Sequence, residues 1–258
     1  MAHVIVFIFG LIIGSFLNVV IWRMHAQESV LTGRSHCPKC RHVLSPIELI
    51  PVLSFLIQKG KCRHCQKPIS WQYPLVELSA GILFLLVYLP HDLRFTTYTF
   101  FLLARSWFVI AALIVIFVYD LKYYLIPDKI IYPTATVVVI TLPLIYGGEI
   151  TWWGVFGPII AGLLGGGFFL LQYIISKGKW IGGGDIKMGA LMGLILGISG
   201  LGVALFFAYV VGAIVGLILV VSRKKTMKSQ VPFGTFLVAG TIFAMFLAES
   251  VLNWYLNF

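Results

Sequence analysis

Charged side chains are scarce in this 258-residue chain, in which Asp, Glu, Lys and Arg together make up 11% of the residues. An ordinary soluble domain contains about 25%. Hydrophobic residues make up 60%, and the mean hydropathy is +0.98. A soluble protein of this length could not bury so much apolar surface, so the composition excludes both a soluble globular enzyme and a disordered chain. It predicts an all-α polytopic membrane protein.

Eight apolar segments are candidates for membrane-spanning helices, each of which needs about 20 residues. The second and sixth are short, and the sixth could be tilted or partly re-entrant. The alternating hydrophobicity of a transmembrane barrel is missing. The segments lie near residues 3–22, 75–90, 98–119, 130–147, 154–176, 187–200, 201–222 and 233–257.

Acidic residues are also few, 9 against 19 Lys and Arg, and the formal net charge is +10. Seventeen of the 19 basic residues fall on one side of the predicted helices, Arg94 falls on the other, and Arg105 lies within the third span. Because basic loops stay in the cytoplasm, we expect a multi-pass membrane protein with both termini outside. The charge then requires no nucleic-acid partner. The cytoplasmic residues would be Arg23, Arg34, Lys39, Arg41, Lys59, Lys61, Arg63, Lys67, Lys122, Lys129, Lys177, Lys179, Lys187, Arg223, Lys224, Lys225 and Lys228.

Cysteine occurs only within the one sizeable polar segment, residues 23–73, as two C-x2-C pairs separated by 21 residues. Four thiolates at such spacing can close a tetrahedral structural zinc site with no open position. Two disulfides, which a reducing cytoplasm disfavours, or four unligated thiols are the alternatives. The sequence therefore predicts a zinc-ribbon-like insertion whose ligands are Cys37, Cys40, Cys62 and Cys65.

Two further features accompany the cysteines. A weak repeat is visible, because Ser45 and Ser70 each lie eight residues after the first cysteine of a pair. Three histidines stand beside the pairs, His36, His42 and His64. Since four thiolates already fill a zinc site, we interpret these histidines as surface residues or as residues beside the metal site.

Two acidic residues at the ends of predicted spans are candidates for catalysis. Asp120 ends an apolar run, and a carboxylate in that position marks a functional site by default. Asp185 follows three glycines, residues 182–184, which permit close approach of another segment. The predicted topology puts both at the same depth. Two neighbouring carboxyl groups that share one proton can activate water as base and acid, as in aspartic proteases.

Simpler interpretations of the acidic residues remain open. Asp185 could cap the sixth span, and Asp120 could pair with Lys122. For Asp128, which follows a proline and precedes the fourth span, capping is the favoured interpretation. Glu77 and Arg105 could find partners between helices or extend to the interface.

Glycines recur at four-residue spacing within several spans, which lets helices pack closely in lipid. We interpret them as packing residues, and we expect Ser15 and Asn18 to hydrogen-bond across helices. The glycines are Gly10 and Gly14, then Gly189, Gly193 and Gly197, then Gly212 and Gly216.

Seven motifs occur in a fixed order along nearly the whole chain. They are Gly14-Ser15-Phe16-Leu17-Asn18-Val19, the paired cysteines, Ile50-Pro51-Val52-Leu53-Ser54, Tyr73-Pro74-Leu75-Val76-Glu77, the stretch from Asp120-Leu121 through Ile126-Pro127-Asp128, Gly182-Gly183-Gly184-Asp185-Ile186-Lys187, and Val231-Pro232-Phe233-Gly234. Each motif alone is weak, but the ordered set is highly specific. It resembles the bacterial type IV prepilin peptidase family, which are GxGD-type aspartic proteases.

The resemblance implies an endopeptidase of the bacterial inner membrane that cuts type IV prepilins and pseudopilins after the glycine of their leader, at the cytoplasmic face. Asp120 and Asp185 would hold and activate the water. The family then methylates the new N-terminal amine with S-adenosylmethionine, an activity that it associates with the cysteine-bearing insertion. The implied organisation is a first span at 1–22, a zinc-binding, methyltransferase-associated insertion at 23–73, and a peptidase domain at 74–258.

Two other functions fit parts of the pattern. A transporter would use intramembrane acids and broken helices, but it predicts a repeat between the halves, which the sequence lacks. A presenilin-like protease of other substrates would share the aspartates but gives no reason for the insertion. The glycines before Asp185 follow no predicted strand, so they are not a dinucleotide fingerprint.

Overall fold

The computed structural model describes residues 1–90, 96–145, 152–223, 226 and 231–256. This part of the chain is helical, as predicted, and its β-structure is limited to two isolated bridges. Arg94, which we expect to be external, and Lys224, Lys225 and Lys228, which we expect to be cytoplasmic, lie outside the described residues. The α-helices are α1 (Ala2–Ala26), α2 (Leu53–Ile57), α3 (Gln72–Tyr88), α4 (Thr97–Tyr123), α5 (Asp128–Ile145), α6 (Trp152–Ser176), α7 (Gly183–Val221) and α8 (Phe233–Leu256), and a 3-10 helix covers Pro46–Leu49.

Five of these helices, α1, α4, α6, α7 and α8, are long and apolar enough to cross a membrane. Helix α3 is apolar but shorter, and α5 contains two prolines, Pro133 and Pro143. The structure therefore agrees with a membrane protein of several spans.

Helix α7 contains both the sixth and the seventh predicted segments, and the chain reverses direction within it at Gly197. Gly197 has φ 69° and ψ −175°, and glycine adopts such a positive φ at little cost. A Cβ on Gly165 of α6 would lie 2.9 Å from the carbonyl carbon of Gly189 and 3.3 Å from the Leu201 side chain. In a straight helix those two residues would be about 18 Å apart. The predicted boundary between the sixth and seventh segments, near residue 200, therefore lies a few residues too late. Gly197 ends the first helical part of α7, and its interpretation as a packing residue is wrong.

The described chain divides into two compact units, Met1–Val115 and Ile116–Phe258. In the first unit, α1 packs directly on α3. A Cβ on Gly14 would lie 2.6 Å from the Cα of Glu77, so only glycine permits this approach. Asn18 donates a hydrogen bond to the Tyr73 carbonyl oxygen at 3.1 Å, and Ser15 lies close to Glu77. The packing interpretation of this stretch of α1 is confirmed.

Glu77 also holds a strained part of the insertion. Its buried carboxylate accepts a hydrogen bond of 2.7 Å from the Val52 backbone N–H. Val52 has φ 61°, an unfavourable conformation for a β-branched residue. Strain of this kind persists only where surrounding contacts impose it. The partner of Glu77 is therefore the insertion itself.

Arg23, at the last turn of α1, organises the start of the insertion. Its buried guanidinium donates hydrogen bonds of 2.7–3.3 Å to backbone carbonyl oxygens and so fixes the loop that follows α1. The accepting residues are Ser29, Val30, Thr32 and Gly33.

In the second unit, α7 packs against α6 and α8. A Cβ on Gly189 would lie 2.7 Å from the Gly165 carbonyl oxygen, and Gly193 lies equally close to the α6 backbone. The packing interpretation is confirmed for these two residues. It is wrong for Gly216, which has no neighbour within 4 Å of its Cβ position in the described chain.

Two glycines of α6 provide a matched test of this packing. A Cβ on Gly165 would press on the Gly189 backbone, whereas a Cβ on Gly167 would meet no described atom within 4 Å. Gly165→Ala should lower the free energy of unfolding by about 1–3 kcal/mol through overpacking. Gly167→Ala should leave it unchanged or raise it by up to about 1 kcal/mol. Thermal unfolding in detergent would measure both, and equal shifts would contradict the close α6–α7 contact.

Candidate active site and metal centre

Asp120 lies in the last turn of α4 and is 5% exposed. Its Oδ2 accepts a hydrogen bond of 2.8 Å from the Thr235 backbone N–H, and the Gly234 N–H is a second donor. Both donors belong to the first turn of α8, where backbone N–H groups have no partner within the helix. The positive end of the helix dipole favours a carboxylate there. Asp120 thus caps α8 from another helix.

Asp185 lies in the first turn of α7 and is 7% exposed. Its Oδ2 accepts a hydrogen bond of 2.9 Å from the Gly182 backbone N–H. The simpler interpretation of Asp185 as a helix cap is therefore confirmed. The same carboxyl group also interacts electrostatically with Asp120, so a capping role does not separate Asp185 from the other candidate carboxyl group.

Ile126 lies against the starts of α7 and α8, whose backbone N–H groups hold these carboxyl groups. A Cβ on Gly184 would lie 3.0 Å from the Ile126 Cβ. A Cβ on Gly234 would lie 2.8 Å from both the Ile126 Cδ1 and the Asp120 Oδ2. A side chain at Gly234 would therefore displace Ile126 or Asp120, and one at Gly184 would press on Ile126.

Asp128 and Lys187 form a separate ion pair beside this site. Asp128 is the first residue of α5, and its two carboxylate oxygens accept hydrogen bonds of 2.6 and 2.8 Å from the Lys187 ammonium. Because both side chains are substantially exposed, the pair contributes little stability. It does tie the start of α5 to the first turn of α7.

The alternative pairing of Asp120 with Lys122 does not occur in the described part of the chain. Lys122 is exposed, and its ammonium lies 5.9 Å from the centre of the Tyr123 ring. Asp120 is instead buried and uses backbone donors. The alternative based on a surface ion pair is therefore wrong.

Two participants in the site escaped the sequence analysis. Thr235 contributes through its backbone N–H. The sequence Pro-Phe-Gly-Thr predicts a helix start, and the free N–H groups of a helix start attract carboxylates. Tyr209 interacts electrostatically with Asp185, and its hydroxyl bonds the Gln172 amide at 3.1–3.2 Å. Tyr209 lies in an uninterrupted apolar run, so only the reversal at Gly197 brings it to Asp185.

The four cysteines of the insertion converge on one point. Their Sγ atoms all lie within 4.8 Å of one another, none forms a disulfide, and Cys37 and Cys65 are 4.0 Å apart. A tetrahedral zinc site with Zn–S bonds of about 2.3 Å requires sulfur–sulfur distances of about 3.8 Å. The cluster therefore fits a metal ion of this type.

The weak repeat seen in the sequence is a structural repeat of 25 residues. Cys37 N–H donates to the His42 carbonyl at 2.9 Å, and Cys62 N–H donates to the Lys67 carbonyl at 3.0 Å. Equivalent bridges and left-handed residues follow at the same offset. The two C-x2-C pairs thus form two matching knuckles. The corresponding bridges are His36 with Val43 and Lys61 with Pro68.

The histidines near the cysteines behave differently from one another. His36 packs against Trp22, with ring centres 5.0 Å apart. The His42 and His64 rings stack at 3.3 Å, and both lie beside Glu48. Hydrogen bonds from the Ser45 backbone N–H and hydroxyl lower the pKa of Glu48. The interpretation of His42 and His64 as separate surface residues is therefore incomplete.

The glycine segment before Asp185 does not form a cradle for a methyl donor. The Gly182 N–H, which would have to face an anionic ligand, already donates to the Asp185 carboxylate. In the described chain, no strand precedes α7. These observations argue against a dinucleotide-type loop at this position.

Comparison with known proteins agrees with this arrangement. Residues 8–91 match the bacterial peptidase A24 N-terminal domain, and residues 107–217 match the type IV leader peptidase family. Several relatives are named prepilin leader peptidase/N-methyltransferase. That of Bacillus subtilis (strain 168) is 35% identical, covering 98% of this chain and 97% of its own length. That of Aeromonas hydrophila is 31% identical, covering 98% and 93%, and that of Legionella pneumophila is 30% identical, covering 99% and 95%.

No solved structure matches this chain with significance. The relatives nevertheless extend over both the α1–α3 unit with its four-cysteine insertion and the unit that carries the two aspartates. On this full-length similarity, the chain belongs to the type IV leader peptidase family of prepilin leader peptidase/N-methyltransferases.

Proposed function

We propose that this chain removes the leaders of type IV prepilins and pseudopilins after glycine and then methylates the new N-terminal residue. Membership of the family, with relatives that carry both activities in their names, supports this function. The observation that carries the peptidase assignment is the pair of buried carboxyl groups, Asp120 and Asp185, each held by a helix N-terminus.

In the proposed reaction, Asp120 and Asp185 share one proton and bind a water between them. The ionised carboxylate accepts a proton from the water as its oxygen attacks the peptide carbonyl carbon. The protonated partner donates its proton to the carbonyl oxygen. Collapse of the tetrahedral intermediate breaks the C–N bond: the protonated carboxyl group gives its proton to the leaving amine, and the ionised one takes a hydroxyl proton from the intermediate as the carbonyl re-forms. Backbone donors from Thr235 and Gly182 hold the two carboxyl groups in place.

The proposed arrangement in the membrane has eight crossings, with both termini outside and the two aspartates near the cytoplasmic face. The distribution of Lys and Arg supports this orientation. The reversal at Gly197 supports two crossings within α7, because a straight helix of 39 residues would extend about 58 Å, twice the hydrocarbon thickness of about 30 Å.

The proposed organisation assigns residues 1–22 to the first span, 23–73 to a cytoplasmic zinc-binding insertion and 74–258 to the peptidase domain. Cys37, Cys40, Cys62 and Cys65 would hold one structural zinc ion, which supplies folding free energy to a segment too small to bury a core of its own. The methyl donor would be S-adenosylmethionine, which supplies an electrophilic methyl group.

Replacing either aspartate should abolish cleavage. Asp120→Asn and Asp185→Asn keep the side-chain shape but cannot act as base, and loss of one cooperating group should lower the rate by several orders of magnitude. Asp128→Asn is the control and should be much milder, because its ion pair is exposed and asparagine also caps helices. Purified variants in detergent would be incubated with a prepilin, and leader removal measured by mass spectrometry. Near wild-type cleavage by a folded Asp120→Asn variant would refute the assignment.

The purified protein should retain about one tightly bound zinc ion per chain. Replacing the Cys37/Cys40 pair or the Cys62/Cys65 pair with serine should release it, because a hydroxyl is a poor zinc ligand at neutral pH. Metal analysis and thiol titration would test this. A folded protein with four reactive thiols and no zinc would exclude the ribbon.

The two activities should separate in these variants. Serine replacements of the cysteines should lower methylation more than cleavage, because the closed zinc site has no open position for chemistry. Asp120→Asn and Asp185→Asn should still methylate a pilin peptide that is supplied already cleaved. Both products would be scored by mass spectrometry in each variant. Equal loss of cleavage and methylation in every cysteine variant would argue against separate sites.

A further inference from the structure

A second group of metal-binding side chains lies in the insertion beside the four cysteines. His42, Glu48 and His64 each place one ligand atom within 4.8 Å of the others. The two imidazole rings lie 3.3 Å apart, with 29° between their planes. None of these three residues belongs to the cysteine cluster or to the peptidase site.

The carboxylate of Glu48 has one oxygen satisfied and one unsatisfied. Its Oε2 accepts hydrogen bonds of 2.9 Å from both the backbone N–H and the hydroxyl of Ser45. Its Oε1 is buried and has no hydrogen-bond partner among the described residues. Leaving a buried carboxylate oxygen without a partner costs free energy. A cation bound at Oε1 would remove this cost.

The ligand atoms of the three side chains are close enough together to approach one ion. Two nitrogen ligands at Zn–N distances of about 2.0–2.1 Å in a tetrahedral site lie about 3.3 Å apart, and the ligand atoms of this cluster all lie within 4.8 Å of one another. Two histidines and one glutamate are also a common ligand set for zinc sites that keep an open fourth position. This differs from the closed site that four thiolates form.

The cluster is not a by-product of the repeated knuckles. Under the 25-residue offset of the backbone hydrogen bonds, His42 corresponds to Lys67 and His64 corresponds to Lys39. Neither lysine is a usual metal ligand. The histidines therefore break the internal repeat at the two positions where their rings meet.

We propose that His42, Glu48 and His64 form a second site for a divalent transition-metal ion such as zinc, with one coordination position open to water or another ligand. Imidazole and carboxylate ligands bind such ions less tightly than four thiolates do, so the site fills after the cysteine site. The ion links the 3-10 helix to both knuckles, because each of the three ligands comes from a different one of these segments.

The test uses the full-length protein in detergent with zinc already bound by the cysteines. Titration with Co²⁺ should load one further ion per chain, and its spectrum should lack the sulfur-to-cobalt charge-transfer band. His42→Ala and His64→Ala should each abolish uptake of this ion while retaining the cysteine-bound zinc, which also shows that the insertion is folded. Glu48→Gln keeps an acceptor for Ser45 and should weaken binding at least about tenfold.

His36→Ala is the matched control, because His36 lies in the same segment but contacts Trp22. This variant should bind Co²⁺ as the wild-type protein does. The proposal is overturned if the wild-type protein binds no second ion, if added Co²⁺ shows sulfur ligation, or if His36→Ala reduces uptake as much as His42→Ala. Loss of the cysteine-bound zinc in both His42→Ala and His64→Ala would also overturn it, since the histidines would then serve only to fold the insertion.

Discussion

A carboxylate buried among apolar helices must find hydrogen-bond donors, and here the free N–H groups at helix starts supply them. Asp120 reaches the first turn of α8, and Asp185 turns back on the first turn of α7. This requirement fixes much of the second unit. The end of α4 must meet the start of α8, and a side chain at 234 would press on both Ile126 and Asp120. The acidic pair and the packing of the helix ends are one arrangement.

The insertion, residues 23–73, depends on other interactions, because a segment of this size has too little apolar surface to fold by burial alone. Two matching backbone knuckles bring the four sulfurs together. Arg23 orders the loop at the start of the insertion. Glu77, which follows the end of the insertion, accepts a hydrogen bond from Val52 within it. The segment is therefore held by a polar framework at several points along its length.

The sequence predicts those features that depend on local pattern. Apolar runs predict the helices, and the cysteine spacing predicts the sulfur cluster. Because acidic residues are few, Asp120 and Asp185 can be selected as candidates. Features that depend on tertiary approach escape it. The Thr235 donor is a backbone group with no side-chain signature, and Tyr209 is hidden in an apolar run until the chain reverses at Gly197. The two stacked histidines lie 22 positions apart in the sequence, and only the paired knuckles bring them together.

The contact between Glu77 and Val52 limits how this protein can change over evolutionary time. Loss of residues 23–73 as a block would remove the Val52 N–H and leave a buried carboxylate in α3 facing the tightly apposed backbone of α1. A shortened descendant would therefore have to replace Glu77 with an uncharged residue, or provide a new donor, at the same time. The insertion and the helix pair that carries it are inherited as one module, joined by a hydrogen bond whose two ends cannot be lost separately.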